Sequence, residues 1–144
     1  LCAEDPAGRD AYEQNLKAFQ ARLDELDAEI AAKLAPYKGS AFFCYHPGFG
    51  YFADAYGLEQ EAMEINGQKP SLKQLGHFIA EAKRENIRMI FVQTQFSTES
   101  AETLARQINA TVVQVDNLSE DYFGSLRNLA NKVAEALAKT TPAK

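Results

Sequence analysis

Three observations predict an α/β fold with a parallel sheet. Apolar runs short enough for buried strands recur along the chain, each is followed by a stretch of helical periodicity, and the two alternate from residue 41 onward. A single long amphipathic stretch precedes them. The expected architecture is a four-stranded, mainly parallel sheet with helices on both faces, preceded by a long helix.

Composition bounds this reading. A chain of 144 residues is expected to form one domain. At that size it buries roughly 70% of its unfolded surface and needs no disulfide or metal to fold. With 46% hydrophobic and 24% charged residues it reads as globular. A net charge of −5 argues against nucleic acid and anionic membranes as partners, and no apolar run is long enough to span a bilayer. Leu1 to Asp5 carry neither the basic region nor the apolar core of a signal peptide. That leaves a cytosolic chain or a piece of a longer one as the expectation. Two distant cysteines give no disulfide framework, and a Cys2–Cys44 bridge is disfavoured because buried free cysteine is common.

Asp5-Pro6 predicts a helix start, with Asp as N-cap and Pro at the first position. Tyr12, Leu16, Phe19, Leu23, Leu26, Ile30 and Leu34 then form one apolar stripe, which stops at Pro36. A helix of that length spans roughly 42 Å at ~1.5 Å per residue. That exceeds the width of a domain made from the remaining residues, so the helix is expected to overhang and to offer its stripe to a second body. A diagonal crossing of one sheet face, or a coiled-coil dimer seam, would also use the stripe.

Ala41 to Tyr45 reads as a buried strand. Phe49 to Tyr56 reads as a short helix closed by Gly57. Leu58 to Ile65 is a second strand candidate whose glutamates suit a helix equally well. Asn66 to Pro70 is a loop. Ser71 caps a helix with Leu72, Leu75, Ile79 and Ala82 on one face, which Asn86 ends. Arg88 to Thr94 is a buried strand, and Ser97 caps the next helix, with Ala101, Leu104, Ala105 and Ile108 inside. Thr111 to Val115 is the last strand. Asp121 to Leu137 is the last helix, with a stripe of Tyr122, Leu126, Leu129, Val133 and Leu137, and a frayed tail follows from Thr140.

In parallel sheets, ligands sit at the carboxyl ends of strands. His46, Gln93 to Phe96, and Asp116 meet that condition. Ser97 lacks a nucleophile elbow and serves better as a cap. Cys44 would share a pleat face with His46, as a ligand pair or thiol nucleophile, but buried packing is the simpler role. No phosphate-binding glycine pattern is present. Glu120 and Asp121 suit a helix N-terminus, and His77 falls on the solvent side of its helix. What remains is His46 with Asp116. One imidazole and one carboxylate suit Zn²⁺ or a similar divalent ion, yet two ligands make an incomplete site. The residues by themselves leave His46 open between a ligand and a capped, non-metal histidine. They also leave open a small α/β enzyme with His46 as general base and Asp116 orienting it.

Several segments, in one order, resemble a known family. They are Asp5-Pro6 with Tyr12 and Asn15; Tyr45-His46-Pro47-Gly48-Phe49-Gly50-Tyr51-Phe52; Tyr56-Gly57-Leu58; Pro70-Ser71 with Leu75; Ile90-Phe91-Val92; Gln95-Phe96-Ser97; Ala105 to Ile108; and Val115-Asp116. Together they resemble the C-terminal half of the zinc- and manganese-type substrate-binding proteins of bacterial ABC importers (cluster A-I, solute-binding protein family 9). The resemblance implies a linker helix at 1–36 and a C-terminal metal-binding lobe at 37–144, with an N-terminal lobe outside this chain. It also implies that the metal is held between lobes, with His46 as third ligand and Asp116 as fourth. The first two ligands would be histidines of the other lobe. Manganese-selective members commonly carry Glu at the position of His46, so Zn²⁺ is implied over Mn²⁺. The family often shows Glu-Pro where this chain has Gln93-Thr94. The implied protein is no enzyme. It is periplasmic, or membrane-anchored outside a Gram-positive cell, and delivers metal to an ABC permease. Tyr45, Phe49, Tyr51 and Phe52 would wall and orient the ligand. The exposed stripe also leaves the isolated chain able to dimerise through its long helix, and an interaction module using that helix as a dimer seam stays open as an alternative.

Overall fold

The computed structural model describes residues 1–64 and 71–140. Ile65, the expected loop from Asn66 to Pro70 and the tail after Thr140 lie outside the described residues. Asp5 accepts a hydrogen bond from Gly8 N and opens a 3₁₀ turn over Pro6–Gly8, as its capping chemistry predicts. Helix α1 runs Arg9–Leu34, and a second 3₁₀ turn over Ala35–Tyr37 carries the chain past Pro36. Strand β1 (Ala41–Cys44), helix α2 (Gly50–Ala55), strand β2 (Glu59–Ala62) and helix α3 (Leu72–Arg84) follow. Strand β3 (Met89–Gln93), helix α4 (Glu99–Ile108), strand β4 (Thr111–Val115) and helix α5 (Tyr122–Thr140) complete the described chain.

The four strands are all parallel and lie in the order β2-β1-β3-β4. Within the ambiguous segment, Glu59–Ala62 is therefore a strand, on the sheet edge beside β1. Its glutamates suit that place, because charged side chains on an edge strand discourage further pairing. All five residues of β3 are buried, as a strand covered on both faces requires.

Two apolar layers cover the sheet. On one face, Leu26, Ile30 and Leu34 of α1 and Leu129, Val133 and Leu137 of α5 pack with Phe42, Cys44 and Phe91. On the other, Phe78 and Ala82 of α3 and Leu104, Ala105 and Ile108 of α4 pack with Phe43, Ile90 and Val92. The expected face of α3 needs one correction: Leu72 is 90% exposed and Phe78 takes the core position, against Phe43. Leu72 is the first residue of the helix, before the capping box of Ser71 and Gln74 has turned the chain onto the sheet. Tyr122 at the start of α5 is likewise half exposed, whereas the rest of its stripe packs as expected.

Helix α1 overhangs. Its 26 residues span about 39 Å, yet its buried residues are Leu26, Ile30 and Leu34. Leu16 is 55% exposed and Phe19 45%. Phe19 meets the edge of Phe123 at 5.8 Å, and Arg22 lies over that same ring at 4.1 Å. The ion pair Arg127–Glu29, at 2.6 Å, ties the later half of α1 to α5. Among the described residues no helix is long and apolar enough to cross a membrane.

The stripe thus divides into a packed half and an exposed half, with a measurable consequence in this chain. Ile30→Ala should cost about 3 kcal/mol of unfolding free energy in urea, and Leu16→Ala should stay within about 0.5 kcal/mol of the parent. Equal losses at the two positions would show that the whole helix is packed.

Candidate metal centre

The strand order reverses at the β1/β3 pair: the chain leaves β1 outward to β2, then returns across it to β3. Loops that diverge from the carboxyl ends of such a pair leave a crevice between them. His46 stands at the tip of β1, and Gln93 to Phe96 stand at the tip of β3.

The loop after β1 is built tightly. Gly48 N donates to His46 O at 2.8 Å. The Gln93 side-chain Nε2 donates to the same carbonyl at 3.2 Å. A Cβ at Gly48 would fall 2.3 Å from that nitrogen, so any other residue there would displace the Gln93 amide. Gln93 is 1% exposed and its Oε1 has no partner among the described residues. Packing and one hydrogen bond therefore hold its amide under the His46 carbonyl. Phe49 N donates to Gln60 Oε1 at 2.7 Å, which fastens the far side of the loop to β2.

The His46 ring has two close neighbours. Its Nδ1 lies 2.5 Å from Glu64 Oε2, and its face stacks on Phe96 with centroids 4.7 Å apart and planes 26° apart. Glu64 is set there by the backbone. Met63 N and Glu64 N donate to Cys44 O and Tyr45 O at 2.9 and 2.8 Å, which continues the β1–β2 pairing past both strand ends.

Asp116 leaves the tip of β4 fully exposed. Its Oδ1 accepts from Leu118 N and from Gln95 Nε2, each at 3.0 Å. These two donors, the Leu118 amide foremost, hold its carboxyl below the usual aspartate range. His46 and Asp116 sit on strands separated by β3, so their strand axes are ~10 Å apart. What links them is the β3 tip: Gln95 holds Asp116 and the adjacent Phe96 holds His46. A groove lined by Gly48, Phe49, Tyr51, Val115, Asp116 and Tyr122 runs between the β1 loop and the start of α5. Among the described residues no three His, Cys, Asp or Glu side chains gather closely enough to hold a metal ion.

Several sequence-level alternatives take definite places. Cys44 is fully buried, and burial pushes its thiol up to about 12, with Glu61 adding to the shift. It stays a protonated core side chain. The strand ends at Cys44, so the pleat does not carry on to His46: Cys44 packs in the α1/α5 layer, while His46 stacks on Phe96, which borders the opposite layer. Cys2 and Cys44 are both free thiols. Ser97 Oγ accepts from Glu99 N at 3.3 Å just ahead of α4, whose N-cap position falls one residue later than expected, at Thr98, and Asp121 Oδ1 accepts from Gly124 N at 2.9 Å at the start of α5. His77 is exposed. Of the aromatic residues expected around the ligand, Phe49, Tyr51 and Phe52 line the groove beside Asp116, while Tyr45 is buried next to Phe96. The aromatic ring on His46 is Phe96.

Residues 1–136 match the family described as "Zinc-uptake complex component A periplasmic". The chain belongs to this zinc-uptake family. It is 32% identical over 148 aligned positions to the high-affinity zinc uptake system protein ZnuA of Haemophilus influenzae, covering 96% of this chain and 44% of that protein. A crystal structure of ZnuA superposes with a TM-score of 0.91 at 41% identity, over 94% of this chain and 53% of the other. A ZnuA deletion mutant with zinc bound superposes at 0.89 and 39% identity, over 99% and 54%. The chain thus spans about half the length of these relatives. The four-stranded parallel sheet, its surrounding helices and the long leading helix are those of this family.

Glu64, Gln93, Gln95 and Phe96 support the two candidate donors in ways that periodicity did not reveal. A signal existed for Glu64, because a carboxylate at the tip of a strand beside β1 has to face the β1 tip. It was masked by the helix-like glutamates of β2.

Both donors suit a borderline cation: an imidazole nitrogen and a carboxylate that stays charged. The depressed titration of Asp116 keeps it a negative oxygen donor while pH falls through the range where an ordinary aspartate protonates. Carbon-detected NMR should give Asp116 a midpoint below that range, and Gln95→Ala should raise it. An ordinary midpoint unmoved by Gln95→Ala would contradict these contacts.

Proposed function

We propose that residues 1–36 are the inter-lobe helix, and 37–144 the C-terminal lobe, of an extracytoplasmic zinc-binding protein serving an ABC permease. In this reading His46 and Asp116 are two of four zinc ligands, and an N-terminal lobe supplies the other two as histidines. The observation that carries it is the pair of donors at one open sheet edge, oriented by neighbours yet two short of a closed tetrahedral shell. The half-length match to zinc-uptake proteins supports a second lobe. The exposed start of α1 supports it too, since Leu16 and Phe19 would there meet the other lobe.

A nitrogen donor at position 46 favours Zn²⁺ over the harder Mn²⁺. Capture and release fit the site better than catalysis. The suggested His46–Asp116 dyad is not formed, because Nδ1 of His46 faces Glu64 and Asp116 is held by Leu118 and Gln95. The thiol of Cys44 is buried and protonated at neutral pH.

Isothermal titration with Zn²⁺ separates this reading from a self-contained site. This chain alone should bind weakly, since two protein donors leave the shell to water. The two-lobed protein should bind tightly, and His46→Ala in it should weaken binding by at least tenfold. Tight one-to-one binding by this chain alone would rule out a split site, and unchanged affinity in the His46→Ala protein would reject the ligand assignment.

A further inference from the structure

The His46–Glu64 contact fixes more than the position of a ring. An ionised carboxylate has no proton to donate and can only accept a hydrogen bond. With Glu64 ionised and its Oε2 2.5 Å away, the hydrogen of this contact is assigned to Nδ1 of His46. A neutral imidazole has one N–H, so the lone pair is left on Nε2. Phe96 stacks on the ring face, and Gln93 holds the backbone carbonyl of the same residue. The ring is thus restrained at its edge, its face and its main chain.

From these contacts we infer that Glu64 is a positioning residue for metal capture, holding His46 in the tautomer that presents Nε2 to the ion. The inference rests on the reading of His46 as a ligand and goes one step beyond it. A carboxylate behind a ligating imidazole orients the ring before the metal arrives. It also raises the basicity of the donor nitrogen by accepting from the other one. Glu64 does not itself complete the coordination, because it occupies the ring edge turned away from Nε2. Its own place is fixed by the β1–β2 backbone ladder, whose last two bonds run from Met63 N and Glu64 N. The carboxylate is 11% exposed and the imidazole 34%, so the contact is shielded while the ring keeps an open side. The edge strand thereby gains a role in the site, although no residue of it touches metal.

Two readouts on the two-lobed protein test this. Long-range ¹H–¹⁵N correlation of the metal-free protein should show His46 protonated at Nδ1 and bare at Nε2. In Glu64→Ala, the Nε2-protonated tautomer should appear. Zinc affinity, measured by chelator competition, should fall about 10- to 100-fold in Glu64→Ala. It should fall less in Glu64→Gln, whose amide oxygen still accepts but carries no charge. Glu64→Gln keeps the side-chain volume, so the test stands even if the alanine variant folds poorly. Wild-type affinity and an unchanged tautomer in both Glu64 variants, beside weak binding in His46→Ala, would overturn this inference alone. Wild-type affinity in His46→Ala would overturn it together with the ligand reading.

Discussion

The pairing of β1 with β3 at the centre of the sheet is the constraint on which the site depends. Because β2 lies on one side of β1 and β3 on the other, the connections leaving their tips run over opposite faces. The space between is left for ligand chemistry. His46 lies at the tip of one of these strands and Phe96 just past the tip of the other. The ring stack joins them across the reversal. Gln93 adds a bond from the buried end of β3 to the His46 carbonyl, and Gly48 makes room for it. A side chain at position 48 would displace the amide, and with it the loop that aims the imidazole.

From that centre the other parts follow with decreasing restraint. The β2 edge places Glu64, and the β4 tip places Asp116. Asp116 is the more exposed of the two candidate donors, held by the Leu118 amide and by Gln95. His46 is oriented by packing and a short hydrogen bond, whereas Asp116 is oriented by a local turn. In the proposed split site, one donor would be preset and the other would lie on a rim able to adjust to a second body.

Much of the fold was legible in the sequence because periodicity reports burial. The later half of the α1 stripe, the α5 stripe from Leu126 onward and the apolar runs of β1 and β3 mark faces that pack. Helix ends were legible where a residue type has one local task, as with Asp5, Ser71, Gly57 and Asn86, the last two at positive φ. What the pattern could not show was pairing across space. Whether Glu59 to Ala62 is strand or helix depends on its neighbour β1, so Glu64 was missed as a strand-tip residue. Phe96, the ring that stacks on His46, was missed for the same reason: it is near His46 in space and distant from it in sequence. His46 and Asp116 were legible as strand-tip donors. Their role as a pair came from a family resemblance, which the family match over residues 1–136 bears out at the level of the family.

In the proposed site, this sheet edge would contribute one imidazole nitrogen and one carboxylate to a metal shared with a second lobe. Anomalous diffraction at the zinc edge, on crystals of the two-lobed protein, tests it most directly. A zinc peak is expected within about 2.0–2.2 Å of both His46 Nε2 and an Asp116 oxygen, completed by donors from the other lobe. A zinc ion bound entirely by the other lobe, or bound to His46 through Nδ1 with Glu64 displaced, would contradict it.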